Sequence, residues 1–276
     1  MEEKRDRGEA RKFYQKVKRK GFGTGIPTCK DIDGNLVTDT QSVQQIWREH
    51  FRSLLVPEGS ISDEITPIID DGVDCPPPSQ NEINTAIARL KNNKAAGADG
   101  LPAELFKAGG DELATCMHQL INTVWLKECM PDDWNLSVLC PVLKKGDPSV
   151  CIGCRGISLI PIAYKVMSSV LCERLKPILE NLIGPYQSGF RPGKSKTDQI
   201  FTLRQILEKT QEMQIDTDHI FIDYKAAFDS PIRQKLLDAM AEFGIPAKSI
   251  RLCRTILTDT KSSVKIGTNL TEPFSI

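Results

Sequence analysis

Apolar residues recur at helical spacing along much of this chain and at strand spacing over shorter stretches. Val43, Ile46, Trp47, Phe51 and Leu54-Leu55 share one face of a helix that Asp39 or Thr40 can cap. Ile83, Ile87 and Leu90 form the stripe of a second helix, opened by a capping box of Ser79 with Glu82 three residues on. Pro102 opens a short helix, and a longer amphipathic one runs from about Asp111 to Lys127. The run 136–143 has the look of a strand, with 155–159 as its partner across a polar turn. A helix over 162–182 follows, then a Gly/Pro loop through 184–195 and a helix to about Met213. Residues 219–223 are a short apolar strand, Pro231 starts a helix that Gly244 ends, and a further helix precedes a terminal hairpin of 262–267 and 270–276. Near the start, 3–20 is a highly charged helix, 21–25 is Gly-rich, and Asp33-Gly34 turns a small hairpin. Helices and short strands alternate irregularly, which predicts an α+β fold rather than a doubly wound sheet.

The stretch 56–79 breaks this rhythm: it holds five prolines and many acids with no sustained period. It predicts a linker, and divides the chain into 1–80 and 81–276. Composition excludes several classes. Hydrophobic residues are 40% and charged residues 26%, as in a globular protein. No apolar run approaches the roughly 20 residues that span a bilayer. The charged N-terminus lacks the apolar centre of a signal peptide, and nine scattered cysteines fit reduced thiols, so the expected location is intracellular, nuclear or cytoplasmic. The net charge is zero, but its distribution is not even: residues 21–80 carry three basic and ten acidic side chains, and 141–200 carry nine basic and four acidic. A basic middle permits phosphate binding.

The chemistry concentrates in 219–230, HIFIDYKAAFDS. A strand ending in Asp223 sets a carboxylate at a sheet edge, the hard oxygen ligand that magnesium requires. Two-metal catalysis needs several such groups converging, and on spacing alone Asp223 and Asp229 are equally well a turn residue and a helix cap. This segment resembles the first catalytic motif, F-I/V-D-x-x-x-A-F-D-S, in the palm of LINE-type (non-LTR) retrotransposon reverse transcriptases. Three more segments resemble that family in its order: 91–104, KNNKAAGADGLPAE; 142–160, VLKKGDPSVCIGCRGISLI, like its fingers hairpin; and 187–200, QSGFRPGKSKTDQI.

The resemblance implies roles residue by residue. Asp223 would be the catalytic carboxylate and bind the metal, magnesium or manganese. Tyr224 would lie along the nucleotide's triphosphate, and Phe228 would exclude a ribose 2′-hydroxyl. Arg155 would clamp the triphosphate, since a planar guanidinium recognises phosphate oxygens in pairs. Lys144, Lys145, Arg191, Lys194 and Lys196 would contact nucleic acid, the last three beside Tyr186 and Phe190, whose rings can stack bases. Partners would be an RNA template, a DNA primer and deoxynucleoside triphosphates, with no membrane. Two departures stand out: Gly153-Cys154 replaces an Asn-Tyr pair before the arginine, and Lys196 replaces a threonine. Cys151 and Cys154 are spaced like a zinc knuckle, but the sequence offers no second close pair.

The expected architecture is right-hand polymerase fingers with the first part of the palm, truncated before the second catalytic carboxylate motif. The family's Asp-Asp strand is missing: Asp70-Asp71 falls in the acidic stretch and Asp132-Asp133 in a loop. The implied function is part of an RNA-directed DNA polymerase that is inactive alone. The alternative is a non-catalytic nucleic-acid-binding or interaction protein derived from such an element.

Overall fold

The computed structural model describes residues 28–56, 67–144, 146–224 and 226–276. The charged helix expected over 3–20, the Gly-rich stretch, part of the proline-rich stretch and Lys145 lie outside the described residues. The elements are β1 (Cys29–Lys30), β2 (Leu36–Val37), α1 (Thr40–Leu55), α2 (Gln80–Ala88), α3 (Ala103–Ala108), α4 (Gly110–Lys127), β3 (Leu136–Leu143) and β4 (Cys154–Leu159). After them come α5 (Ile162–Leu182), α6 (Lys196–Glu212), α7 (Arg233–Glu242), α8 (Ala247–Leu257), β5 (Lys261–Ile266), β6 (Asn269–Leu270) and β7 (Phe274–Ser275). The class is α+β.

Local chemistry accounts for most of these boundaries. Asp39 caps α1 by accepting from the Ser42 N–H at 2.9 Å. The Ser79–Glu82 box closes in both directions at α2. β3 pairs antiparallel with β4, Val142 opposite Arg155, and parallel with β5, which in turn holds β6 and β7. The order β4-β3-β5-β6 joins strands far apart in the chain. The terminal hairpin therefore becomes part of the main sheet.

Two main cores lie on either side of this arrangement. In the first, Ile83, Phe106, Ile121, Trp125, Val166 and Met167 knit α2–α5 together. In the second, α1 lies on the sheet, with Trp47 and Phe51 packed among Leu139, Val264 and Phe274. Gly156 makes that contact possible, since a Cβ there would sit 2.7 Å from the Phe51 ring. α1, from the segment before residue 80, covers one face of the sheet.

The described part of the proline-rich stretch has its own contacts. Residues 67–79 form no helix or strand, yet they are fastened along the body. Asp71 accepts from the Ala247 N–H at 2.8 Å, where α8 begins. Trp125 donates to the Cys75 carbonyl at 3.1 Å, and His118 bonds the Pro78 carbonyl at 2.9 Å. Arg174 reaches the carbonyls of Pro76 and Pro77, pairs with Glu82 at 2.7 Å, and lies 4.9 Å over the Trp125 ring. Prolines suit such a path, because each removes a donor that would otherwise need a partner.

Two predictions follow from this packing. Phe51→Ala should lower unfolding free energy by about 3–5 kcal/mol in urea titration; a loss under about 1 kcal/mol would make α1 an appendage. The Arg174 guanidinium pulls the Glu82 carboxyl down from 4.5 to about 2. A depressed folded-state value means the pair's stabilisation is present above 4.5 and fades as pH falls toward 2. Glu82→Gln should therefore flatten the acid limb of the stability curve in that window, and an unchanged limb would discount the pair.

Candidate nucleotide and nucleic-acid interface

The β3–β4 hairpin carries the first set of candidate residues. Its end is closed by the Lys144 N–H donating to the Gly153 carbonyl at 2.9 Å. Lys30 holds the turn from outside, pairing with Asp147 at 2.9 Å and donating its backbone N–H to the Ser149 carbonyl at 2.8 Å. Where the family has Asn-Tyr, Cys154 packs half-buried against the α1 core beside buried Cys151. Burial, with Cys29 and Cys154 nearby, pushes the Cys151 thiol up to about 12, so it stays protonated at neutral pH. The hairpin keeps its packing without the tyrosine. Lys144 and Arg155 are exposed, and neither side chain has a hydrogen bond or ion pair among the described residues.

Residues 91–104 are held by their own chemistry. Asp99 accepts from the Leu101 N–H at 3.1 Å, Glu104 accepts from the Asn93 N–H, and Lys107 reaches Asn92 at 2.9 Å. Gly97 lies against the Ile160-Pro161 backbone, where a Cβ would come within 2.5 Å of Pro161 N. The segment braces the junction between β4 and α5.

The 187–200 loop is built around Arg191. Its guanidinium donates to both Glu180 oxygens, to the Gly184 carbonyl at 2.7 Å and to the Gln187 carbonyl at 3.2 Å. Its side chain is 9% exposed. Arg191, expected to contact nucleic acid, is engaged here in an internal staple that ties the loop to the end of α5. Gln199 adds a second tie, donating to the Tyr186 carbonyl at 2.8 Å and to Ser188 Oγ at 2.7 Å. Ser195 and Asp198 form the capping box of α6. Gly193, at φ 72°, turns the chain so that Lys194 and Lys196 stand in solvent. Sequence reasoning missed Glu180, whose pairing is set by tertiary position that no local pattern signals, and it assigned no role to Gln199 although the recognised segment contains it.

Residues 219–224 differ from expectation. They form no regular element and pair with no described strand, and Ile220, Phe221 and Ile222 are 85%, 81% and 74% exposed. They do not join either end of the described sheet. Asp223 and Tyr224 are exposed on this segment. After it, Asp229 and Ser230 donate their N–H groups to the Ala226 carbonyl in a tight turn that presents Phe228. The Phe228 ring meets Phe190 edge to face at 5.8 Å, joining two of the recognised segments. No hydrogen bond, ion pair or ring contact links Arg155 to Asp223. Among the described residues no group of three or more His, Cys, Asp or Glu side chains is arranged to hold a metal. Asp223 alone is a poor fit for an ion that takes about six oxygens.

Comparison with known proteins adds the class. Residues 142–273 match the family described as reverse transcriptase (RNA-dependent DNA polymerase). A 149 kDa protein of transposon TX1 from Xenopus laevis is 26% identical over 98% of this chain and 21% of its own length. A putative 115 kDa protein in the Drosophila melanogaster type-1 retrotransposable element R1DM is 24% identical over 78% of this chain and 20% of its own. A probable RNA-directed DNA polymerase from transposon BS, also of Drosophila melanogaster, is 23% identical over 70% of this chain and 21% of its own. Over these residues the chain is similar to the reverse transcriptases, and the relatives it resembles are retrotransposon proteins, about a fifth of whose length it spans.

The Arg191 staple can be checked by amide exchange. Arg191→Ala should speed exchange severalfold at Gln187 and Lys194, whose N–H groups close turns onto Gly184 and Arg191. Unchanged protection there would show that the loop holds without it.

Proposed function

We propose that this chain supplies the fingers and the beginning of the palm of an RNA-directed DNA polymerase. The observation that carries the reading is the Phe190–Phe228 contact, which joins the basic loop to the segment bearing Asp223. Two segments recognised independently in the sequence meet in space, and exposed Lys194 and Lys196 follow Phe190 in the loop.

In this reading Arg155 takes the triphosphate of a deoxynucleotide, and the Tyr224 backbone lies along it. Phe228 stands where a ring would exclude a 2′-hydroxyl. Lys144, Lys145, Lys194 and Lys196 contact the phosphates of an RNA template and DNA primer; Arg191 instead shapes the loop that presents the last two. Asp223 is the one carboxylate offered to a divalent ion, too few for the two-metal clamp on attacking and leaving oxygens. The exposed run 220–222 supports a further step. It is an unpaired strand of a palm sheet whose other strands, with the remaining carboxylates, pair along it.

The test is primer extension on an RNA template with magnesium. The 276-residue chain alone should incorporate nothing. Mixed with a matched palm segment carrying an Asp-Asp pair, it should extend the primer, and Asp223→Asn should cut the rate about a thousandfold or more. Template-dependent incorporation by the chain alone, lost in Asp223→Asn, would overturn the incomplete-site reading. Full activity of Asp223→Asn in the mixture would remove Asp223 from the mechanism.

A further inference from the structure

Phe228 is 82% exposed, and a ring that free has several rotamers open to it. Excluding a single hydroxyl requires one of them. The ring contact that restrains Phe228 is the edge-to-face meeting with Phe190, at an interplanar angle of 90°. Phe190 is itself 93% exposed, so burial does not fix it. It holds φ 60° and Ala226, two residues before Phe228, holds φ 53°, so both sides of the contact use left-handed backbone that L-residues rarely adopt. Such conformations persist where the surroundings over-determine them. Next to Phe190, Arg191 is bound at both ends of its fork, to the two Glu180 oxygens and to the carbonyls of Gly184 and Gln187. Gln199 secures the same loop from α6.

We propose that Phe190 is a positioning residue for sugar selection, held by the Glu180–Arg191 pair so that its ring sets the rotamer of Phe228. The inference rests on the reading of Phe228 as the residue that meets the sugar. It assigns to the 187–200 loop a part in nucleotide choice besides any contact with template. The chain of cause runs from an ion pair on α5, through a strained backbone, to a ring on a neighbouring segment.

The experiment uses the full chain with 4-fluorophenylalanine at its ten phenylalanines, and assigns the Phe228 fluorine line by Phe228→Leu. Phe190→Leu and Glu180→Gln should each shift the Phe228 line. Lines of the buried Phe51, Phe106 and Phe274 should stay in place, reporting that the fold is intact. Glu180→Asp, which keeps the charge and the acceptor, should leave the line closer to its original position than Glu180→Gln does. A purely structural ion pair would leave the Phe228 line where it was in all of these, and that result overturns the proposal. The second arm compares deoxycytidine and cytidine triphosphate, with magnesium, in binding titrations of the same proteins. Phe190→Leu should reduce the preference for the deoxynucleotide about two- to tenfold, the size of one ring–ring contact. If Phe228→Val abolishes the preference and Phe190→Leu leaves it intact, the proposal fails. If Phe228→Val leaves it intact, or neither nucleotide binds, the sugar-selecting reading of Phe228 fails; the fluorine line then still decides whether Phe190 positions that ring.

Discussion

A β-strand gains its stability from an edge that accepts its backbone groups, and that requirement organises this molecule more than any single side chain does. β3 lies between β4 and β5, and β5 reaches it in parallel from beyond four intervening helices. Every strand of the main sheet is then paired on at least one side, and its face is sealed by Trp47 and Phe51 of α1. Residues 219–224 have the apolar content of a strand but pair with no described strand. Their side chains stand in water at a cost of roughly 25 cal/mol for each Å² of apolar surface left uncovered.

The same contrast separates two halves of the candidate interface. The β3–β4 hairpin is braced by α1, by the Lys30–Asp147 pair and by the 91–104 loop under β4, so Arg155 projects from a firm base. The helix α6 buries none of its residues, and Ile200, Phe201, Ile206 and Leu207 remain in solvent. Its loop is secured by polar ties alone, through Arg191, Gln199 and the Ser195 box. Hydrogen bonds set direction well, but they exclude little water and add little free energy net of hydration. An apolar surface of this extent on a helix and the segment after it suits a region that gains its cover by association.

How much of this was legible in the sequence depends on the range of the forces involved. The caps at Asp39 and Ser79 and the strand 136–143 were readable because their signals lie within a few residues. The course of 67–79 was not: prolines and acids say only that no regular element forms. Docking is decided by Trp125, Arg174 and the start of α8, which are distant in the chain. The strand expected at 219–223 failed for the complementary reason, since period and composition describe a strand's faces and say nothing of its edges. The likeness to reverse transcriptases was carried by whole motifs, and it survived these local errors.

Arg191 and Arg155 show why a motif alone does not divide its residues by role. Both are arginines beside turns in segments that the family shares, and their charge is the same. Arg191 spends its donors on Glu180 and two carbonyls, so a phosphate would have to displace well-formed charge-assisted bonds to reach it. Arg155 lies on a paired strand with its head group unengaged, and a phosphate would displace only water. The difference comes from where the rest of the chain places its acceptors: Glu180 is eleven residues before Arg191 on a helix that points at the loop, and no acid among the described residues stands against Arg155. An ionised group left unpaired on a paired strand is therefore more open to an anionic ligand than the same group tied into a turn by its own acceptors.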